Sequence, residues 1–93
     1  MATDASAQHF TVPSHVLSRS VGDETVLLDL HQDEYFALSQ VGTRVWSLVS
    51  DGASFGSIVD AVAESYDVDR GTVEGDVRAL IADLVTTGLL HQG

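Results

Sequence analysis

Val26-Leu27-Leu28-Asp29-Leu30, then His31-Gln32-Asp33-Glu34, then Tyr35-Phe36-Ala37-Leu38-Ser39 is the stretch whose reading decides the fold. In the first five residues Val26, Leu28 and Leu30 alternate onto one face with Leu27 and Asp29 opposite, the period of a β-strand. The polar tetrapeptide that follows has the length of a hairpin connection. Tyr35 to Leu38 then returns as a short strand with Phe36 and Leu38 inward and Tyr35 and Ala37 outward. Upstream, Phe10 to Ser20 reads as a first strand, with Pro13 tolerated only near its start or on an edge. Val21-Gly22-Asp23 turns it into the strand Glu24 to Leu30, which completes a three-stranded antiparallel meander.

After Ser39 the period changes to that of a helix. Val41, Val45, Leu48 and Val49 recur beside Trp46 until Asp51-Gly52 stops the run. Ser54 caps a second helix with the stripe Phe55, Ile58, Val59, Val62, Ala63 and Tyr66. Asp69 caps a third with the stripe Val73, Val77, Leu80, Ile81 and Leu84, and Val68 and Val73 fall at the positions of a hydrophobic staple. Gly88 suits the left-handed residue that ends this helix, with Leu89 folding back on its last turn. Gly71 and Gly75 each weaken the helix by about 1 kcal/mol relative to alanine, so packing must hold it. Strands followed by helices give an α+β fold in a winged helix-turn-helix-like arrangement, a three-stranded antiparallel sheet followed by three helices. The helices must cover one face of so small a sheet. Residues 1–9 read as a flexible N-terminal arm and 10–93 as a single domain.

Composition narrows the function. The 93 residues allow one modest core, and 44% hydrophobic content argues against disorder. There is no cysteine, which removes disulfides, thiol catalysis and thiolate metal sites. No run approaches the ~20 apolar residues of a membrane span. Met1 to Gln8 lacks the features of a secretory signal, so a cytoplasmic location is expected. The formal charge is -10, fourteen carboxylates facing four arginines (Arg19, Arg44, Arg70 and Arg78). Such a surface repels nucleic acid and anionic lipid and attracts basic partners.

Catalytic patterns are missing. His9, His15, His31 and His91 show neither the spacing nor the clustering of a zinc site and read as solvated side chains of arms, turns and ends. His31 with Asp33 and Glu34 reads as an ordinary polar loop. No serine sits in a Gly-x-Ser-x-Gly elbow, and no glycine-rich loop is built to hold phosphate. The expectation is a non-enzyme with no cofactor and no metal. A DNA-reading third helix is disfavoured as well, because Asp69, Glu74, Asp76 and Asp83 outnumber Arg70 and Arg78 on it.

Peptide recognition has a positive argument. In a meander the first and third strands are edges, and proteins usually blunt edges with lysine, proline or bulges. Pro13 and Arg19 serve the first strand. Tyr35-Phe36-Ala37-Leu38 carries neither proline nor cation, so an extended peptide can add to it as a fourth strand. Cover by the third helix or the N-terminal arm, or pairing with a second copy in a self-associating interaction module, would use the same edge.

These segments, followed by Gly42, Trp46, Asp51-Gly52, Ile58-Val59, Tyr66-Asp67-Val68, Asp76-Val77, Leu80, Leu84 and Gly88-Leu89-Leu90, resemble the PqqD-like family. This is the domain also called the RiPP precursor peptide recognition element. The resemblance spans roughly residues 12–90 and rests on the ordered combination, since most of these positions are core. It implies a non-catalytic adaptor that binds the leader of a ribosomally made precursor as an added β-strand and delivers it to modifying enzymes. Carried over, the peptide-binding residues are Tyr35, Phe36, Ala37 and Leu38, faced by Val73, Asp76, Val77, Leu80 and Asp83 of the third helix. Val73, Val77 and Leu80 suit either core or side-chain pockets, and Asp76 and Asp83 either solvent or cations of the leader. Ser39 stands where many relatives have asparagine, and both cap helices well.

Free-standing members of this length resemble the B1 proteins of lasso-peptide clusters, which hand the precursor to a separate leader peptidase. Those leaders often carry a Tyr-x-x-Pro pattern, and an acidic domain suits a basic leader. The alternative is a PQQ-type peptide chaperone serving a radical-SAM enzyme.

Overall fold

The computed structural model describes residues 8–92. Residues 1–7 of the expected arm lie outside the described residues. Its last two positions are held: the Phe55 N–H donates to the Gln8 carbonyl at 2.8 Å, and His9 Nδ1 lies 3.0 Å from the Gly52 carbonyl oxygen.

The first strand is divided where proline acts. β1 is Phe10–Thr11 and β2 is Val16–Val21. Between them the chain turns at Pro13, whose carbonyl accepts from the Val16 N–H at 3.1 Å. A single strand from Phe10 to Ser20 would have needed a ladder donor that proline lacks. β1 instead pairs antiparallel with β5, His91–Gln92, at the far end of the chain. The meander is β2, then β3 (Glu24–Asp29), then β4 (Glu34–Leu38), with β3 central. Gly22 takes φ 62 in the two-residue turn between β2 and β3, a conformation open to glycine that matches the strand twist.

Across the sheet Leu27 pairs with Phe36 and Thr25 with Leu38. This register sends Thr25, Leu27, Phe36 and Leu38 to the helices, and Asp29 with them. Leu27 is fully buried. Val26, Leu28 and Leu30, the more apolar row, lie on the other face, where Leu30 is 52% exposed. Alternation had separated the two rows without showing which one the helices cover.

Three helices cover the inner face: α1 Gln40–Ser50, α2 Phe55–Tyr66 and α3 Arg70–Thr86. Ser39, Ser54 and Asp69 cap them by accepting from the N–H groups of Gly42, Ser57 and Thr72, each satisfying an orphan donor of the first turn. Gly88 ends α3 at φ 83. Leu89 and Leu90 then turn back, their N–H groups reaching the Leu84 carbonyl at 2.8 and 3.2 Å, and both are buried. The core joins Leu27 and Leu38 to Val45, Trp46 and Val49 of α1, Ile58, Val59 and Val62 of α2, and Val73, Val77, Ile81 and Leu84 of α3. Val41, expected in the α1 stripe, is exposed instead. Among the described residues no helix is long and apolar enough to cross a membrane.

Candidate functional site

β4 is an edge of the sheet, and the register shows which of its backbone groups are free. A two-residue turn makes the flanking residues Val21 and Glu24 a hydrogen-bonded pair. Counting by twos, Glu24, Val26 and Leu28 direct their N–H and C=O groups to β2, and Thr25, Leu27 and Asp29 direct theirs to β4. The Leu30 N–H follows the same parity, donating to the His15 carbonyl on the β2 side at 2.8 Å. Leu38, Phe36 and Glu34 therefore spend their backbone groups on β3, opposite Thr25, Leu27 and Asp29. Tyr35 and Ala37 present theirs outward. These two residues offer two donors and two acceptors in the geometry of a missing strand.

The two ends of β4 are held differently. At the far end Leu38 is buried and α1 starts at once through the Ser39 cap. Gly42 permits that approach, because a Cβ there would stand 3.3 Å from Leu38 Cβ. At the near end Glu34 is exposed and the Tyr35 side chain is 72% exposed. Phe36 is half-buried against the core.

A second candidate feature is an apolar cleft of about 120 Å³ between the three helices, with no β4 residue in its lining. Val73, Asp76, Val77 and Leu80, four of the five helix residues expected at the site, line it together. Val73 and Val77 are buried at its floor, Leu80 is half-buried and Asp76 is exposed. Asp83 is exposed on the same side of α3, seven residues beyond Asp76, and is not part of the lining. Sequence reasoning missed Val41, Val45, Val62, Tyr66 and Val68, which complete the wall. Val41 and Val68 both stay more than a third exposed, apolar surface that only the fold reveals. An apolar cavity of about 150 Å³ holds a benzene ring, so this cleft suits one aliphatic or aromatic side chain.

Charge is arranged asymmetrically around α3. Arg70 pairs with Asp60 at 2.7 Å and with Glu74 at 3.7 Å, and Arg78 pairs with Glu74 at 3.2 Å. The hydrogen bond and charge of Asp60 raise the Arg70 guanidinium above its ordinary pKa. The Arg78 guanidinium also lies 4.8 Å above the Phe55 ring. Asp76 and Asp83 have no cation partner among the described residues, so the cleft side of the helix keeps its negative charge.

Two further features were not foreseen. His15 and His31 are stacked, with ring centroids 3.9 Å apart, rather than separately solvated. The sheet face away from the helices also carries a shallow apolar depression bordered by Leu17, Val21, Val26, Leu28 and Tyr35.

The chain therefore combines, on an α+β fold of winged-helix type, a free strand edge, an apolar cleft between helices and two carboxylates without a cation partner among the described residues. The chain belongs to the PqqD family: the family profile described as "Coenzyme PQQ synthesis protein D (PqqD)" matches residues 24–90. Among solved structures it is similar to TbiB1, in a structure described as "TbiB1 in Complex with the TbiA(beta) Leader Peptide". The two are 42% identical, with a TM-score of 0.83 over 86% of this chain and 93% of that one. A "Lasso peptide synthetase B1 complexed with the leader peptide" shares the fold at 24% identity, with a TM-score of 0.83 over 89% of this chain and 98% of that one. Among curated proteins none matches.

Proposed function

We propose that this chain binds the leader segment of a ribosomally made precursor peptide as a fourth strand on β4 and carries the precursor to a separate modifying enzyme. One observation carries the reading: the relative at 42% identity is a leader-bound B1 protein, and this chain keeps an unprotected edge at Tyr35 to Leu38. In this reading the outward N–H and C=O groups of Tyr35 and Ala37 hold the leader backbone. The cleft lined by Val73, Val77 and Leu80 takes one of its apolar side chains, and Asp76, with Asp83 beyond it, meets leader cations.

The division of labour follows from energetics. A net backbone hydrogen bond contributes about 0.5–1.5 kcal/mol and reads no sequence. A buried aliphatic or aromatic side chain contributes about 1.5–3 kcal/mol and does discriminate. Affinity and register thus come from β4, and specificity from α3. Nothing in this division requires a reacting group on the chain, which acts as a cytoplasmic adaptor. In this reading the enzyme served is a leader peptidase of the lasso type rather than a radical-SAM enzyme, which the description of one leader-bound relative as a lasso peptide synthetase B1 supports.

Titration with the TbiA(beta) leader peptide, followed by backbone NMR, tests this. Shifts centred on Tyr35 to Leu38 and on Val73 to Leu80 support it. Concentration-dependent dimerisation through β4, with no response to the leader, would replace it with self-association.

A further inference from the structure

We propose that Asp29 is a positioning residue for the peptide-receiving edge: its buried carboxylate ties down the β3–β4 loop and so fixes where β4 begins. The proposal rests on the leader-binding reading of β4.

Asp29 is fully buried at 0% exposure. A buried carboxylate is costly unless its oxygens are satisfied, and the partners of Asp29 come almost entirely from one loop. Oδ1 accepts from the His31 N–H at 2.9 Å and from the Gln32 N–H at 3.2 Å, and Oδ2 accepts from Gln32 Nε2 at 3.2 Å. His15 Nε2 approaches Oδ1 at 3.8 Å from the other side. The His15 ring stacks on His31, and the His15 carbonyl accepts from the Leu30 N–H at 2.8 Å. One carboxylate thus gathers the end of β3, the approach to β2 and the loop 30–33.

That loop leads directly into the edge. Asp33 closes it in the left-handed region, at φ 56, and Glu34 pairs back across to Asp29. Among the described residues β4 has no strand on its outer side, and Glu34 and Tyr35, both exposed, do not anchor its first half. The buried contacts of Leu38 hold only the other end. Beyond the pairing of Glu34 and Phe36 with β3, the position of the Tyr35 backbone groups depends on the loop, and the loop depends on Asp29.

The test compares Asp29→Ala, Asp29→Asn and Gln32→Ala with the unaltered protein, reading amide hydrogen exchange and affinity for the TbiA(beta) leader. Asp29→Ala is expected to speed exchange of the Phe36 N–H at least tenfold, with α2 and α3 amides unchanged, and to weaken the leader at least tenfold. Asp29→Asn keeps an oxygen for both loop N–H groups and restores most of both readouts. Gln32→Ala loses one side-chain bond, falls between them, and decides the matter if Asp29→Ala fails to fold. Unchanged exchange at Phe36 in all three variants would overturn the proposal. So would an Asp29→Asn variant as impaired as Asp29→Ala, since the charge rather than the hydrogen bonds would then matter. If the unaltered protein ignores the leader while Phe36 exchange follows this order, the clamp stands and the leader-binding reading falls.

Discussion

Proline at position 37 separates the two sides of β4. The register gives the Ala37 N–H to the outer side and the Phe36 N–H to Leu27 of β3. Ala37→Pro therefore removes a donor that the fold does not use. Proline is accepted on an edge strand when its missing N–H faces outward, and the residue before it is driven to the extended region that Phe36 already occupies. The cost to the fold is expected to stay below about 1 kcal/mol. For a peptide strand the same change deletes one of two donors, about 0.5–1.5 kcal/mol net, and places ring carbons where the peptide backbone must approach. Each 1.4 kcal/mol is about tenfold in affinity, so a loss of at least tenfold is expected. Phe36→Pro breaks the β3 ladder instead and strips a half-buried aromatic ring from the core, so it should lower stability far more than Ala37→Pro. Calorimetric titration with the TbiA(beta) leader and urea unfolding of both variants give the two readouts. If Ala37→Pro binds as tightly as the unaltered protein, the peptide does not use this edge. If it unfolds as readily as Phe36→Pro, the hydrogen-bond parity derived for β4 is wrong.

Asp76→Arg reverses an exposed charge at the cleft rim and should weaken a basic leader by about 1 kcal/mol at low salt, with the effect fading as ionic strength rises; a salt-independent affinity would leave Asp76 with no role in binding. Leu80 is only half-buried, so Leu80→Ala should cost less stability than the ~2–5 kcal/mol of a core truncation while weakening the leader roughly tenfold in the same titration. A melting point that falls without any change in affinity would return Leu80 to the core. On the outer sheet face Leu17 is 52% exposed, and Leu17→Lys should change unfolding free energy by no more than about 0.5 kcal/mol, whereas Leu27→Lys should prevent folding. A large loss from Leu17→Lys would reverse the assignment of the two faces.

Most of the fold was legible because its punctuation is local. Ser39, Ser54 and Asp69 each have a hydroxyl or carboxylate one position before a helix, and each caps as that chemistry predicts. Gly88 takes the left-handed residue after α3 for the same local reason. The errors arose where a choice depended on contacts distant in sequence. Alternation separates Leu27 from Val26 and Leu28 but says nothing of which row meets a helix. That was decided by Phe36 and Leu38 returning on Leu27's side. Pro13 is awkward within a strand. That it would end β1 and free Phe10 and Thr11 to pair with His91 and Gln92 needed the other terminus.

The candidate site is legible in proportion to how much of it is backbone. An edge is defined by what β4 lacks, proline and cations, and a lack can be read from the chain itself. The cleft is defined by convergence: Val41 from α1, Tyr66 from α2 and Val68 from the connection meet α3, and no local pattern reports that meeting. Asp29 shows the limit most clearly. In the sequence it is a polar residue in an apolar strand, which alternation assigns to one face and nothing more. In the fold that face is the core, so the carboxylate must be fully satisfied, and the donors within reach belong to the loop that starts β4. The same burial that makes the charge costly makes the loop definite. If β4 receives a peptide as proposed, it needs such a constraint, because among the described residues no strand pairs with its outer side.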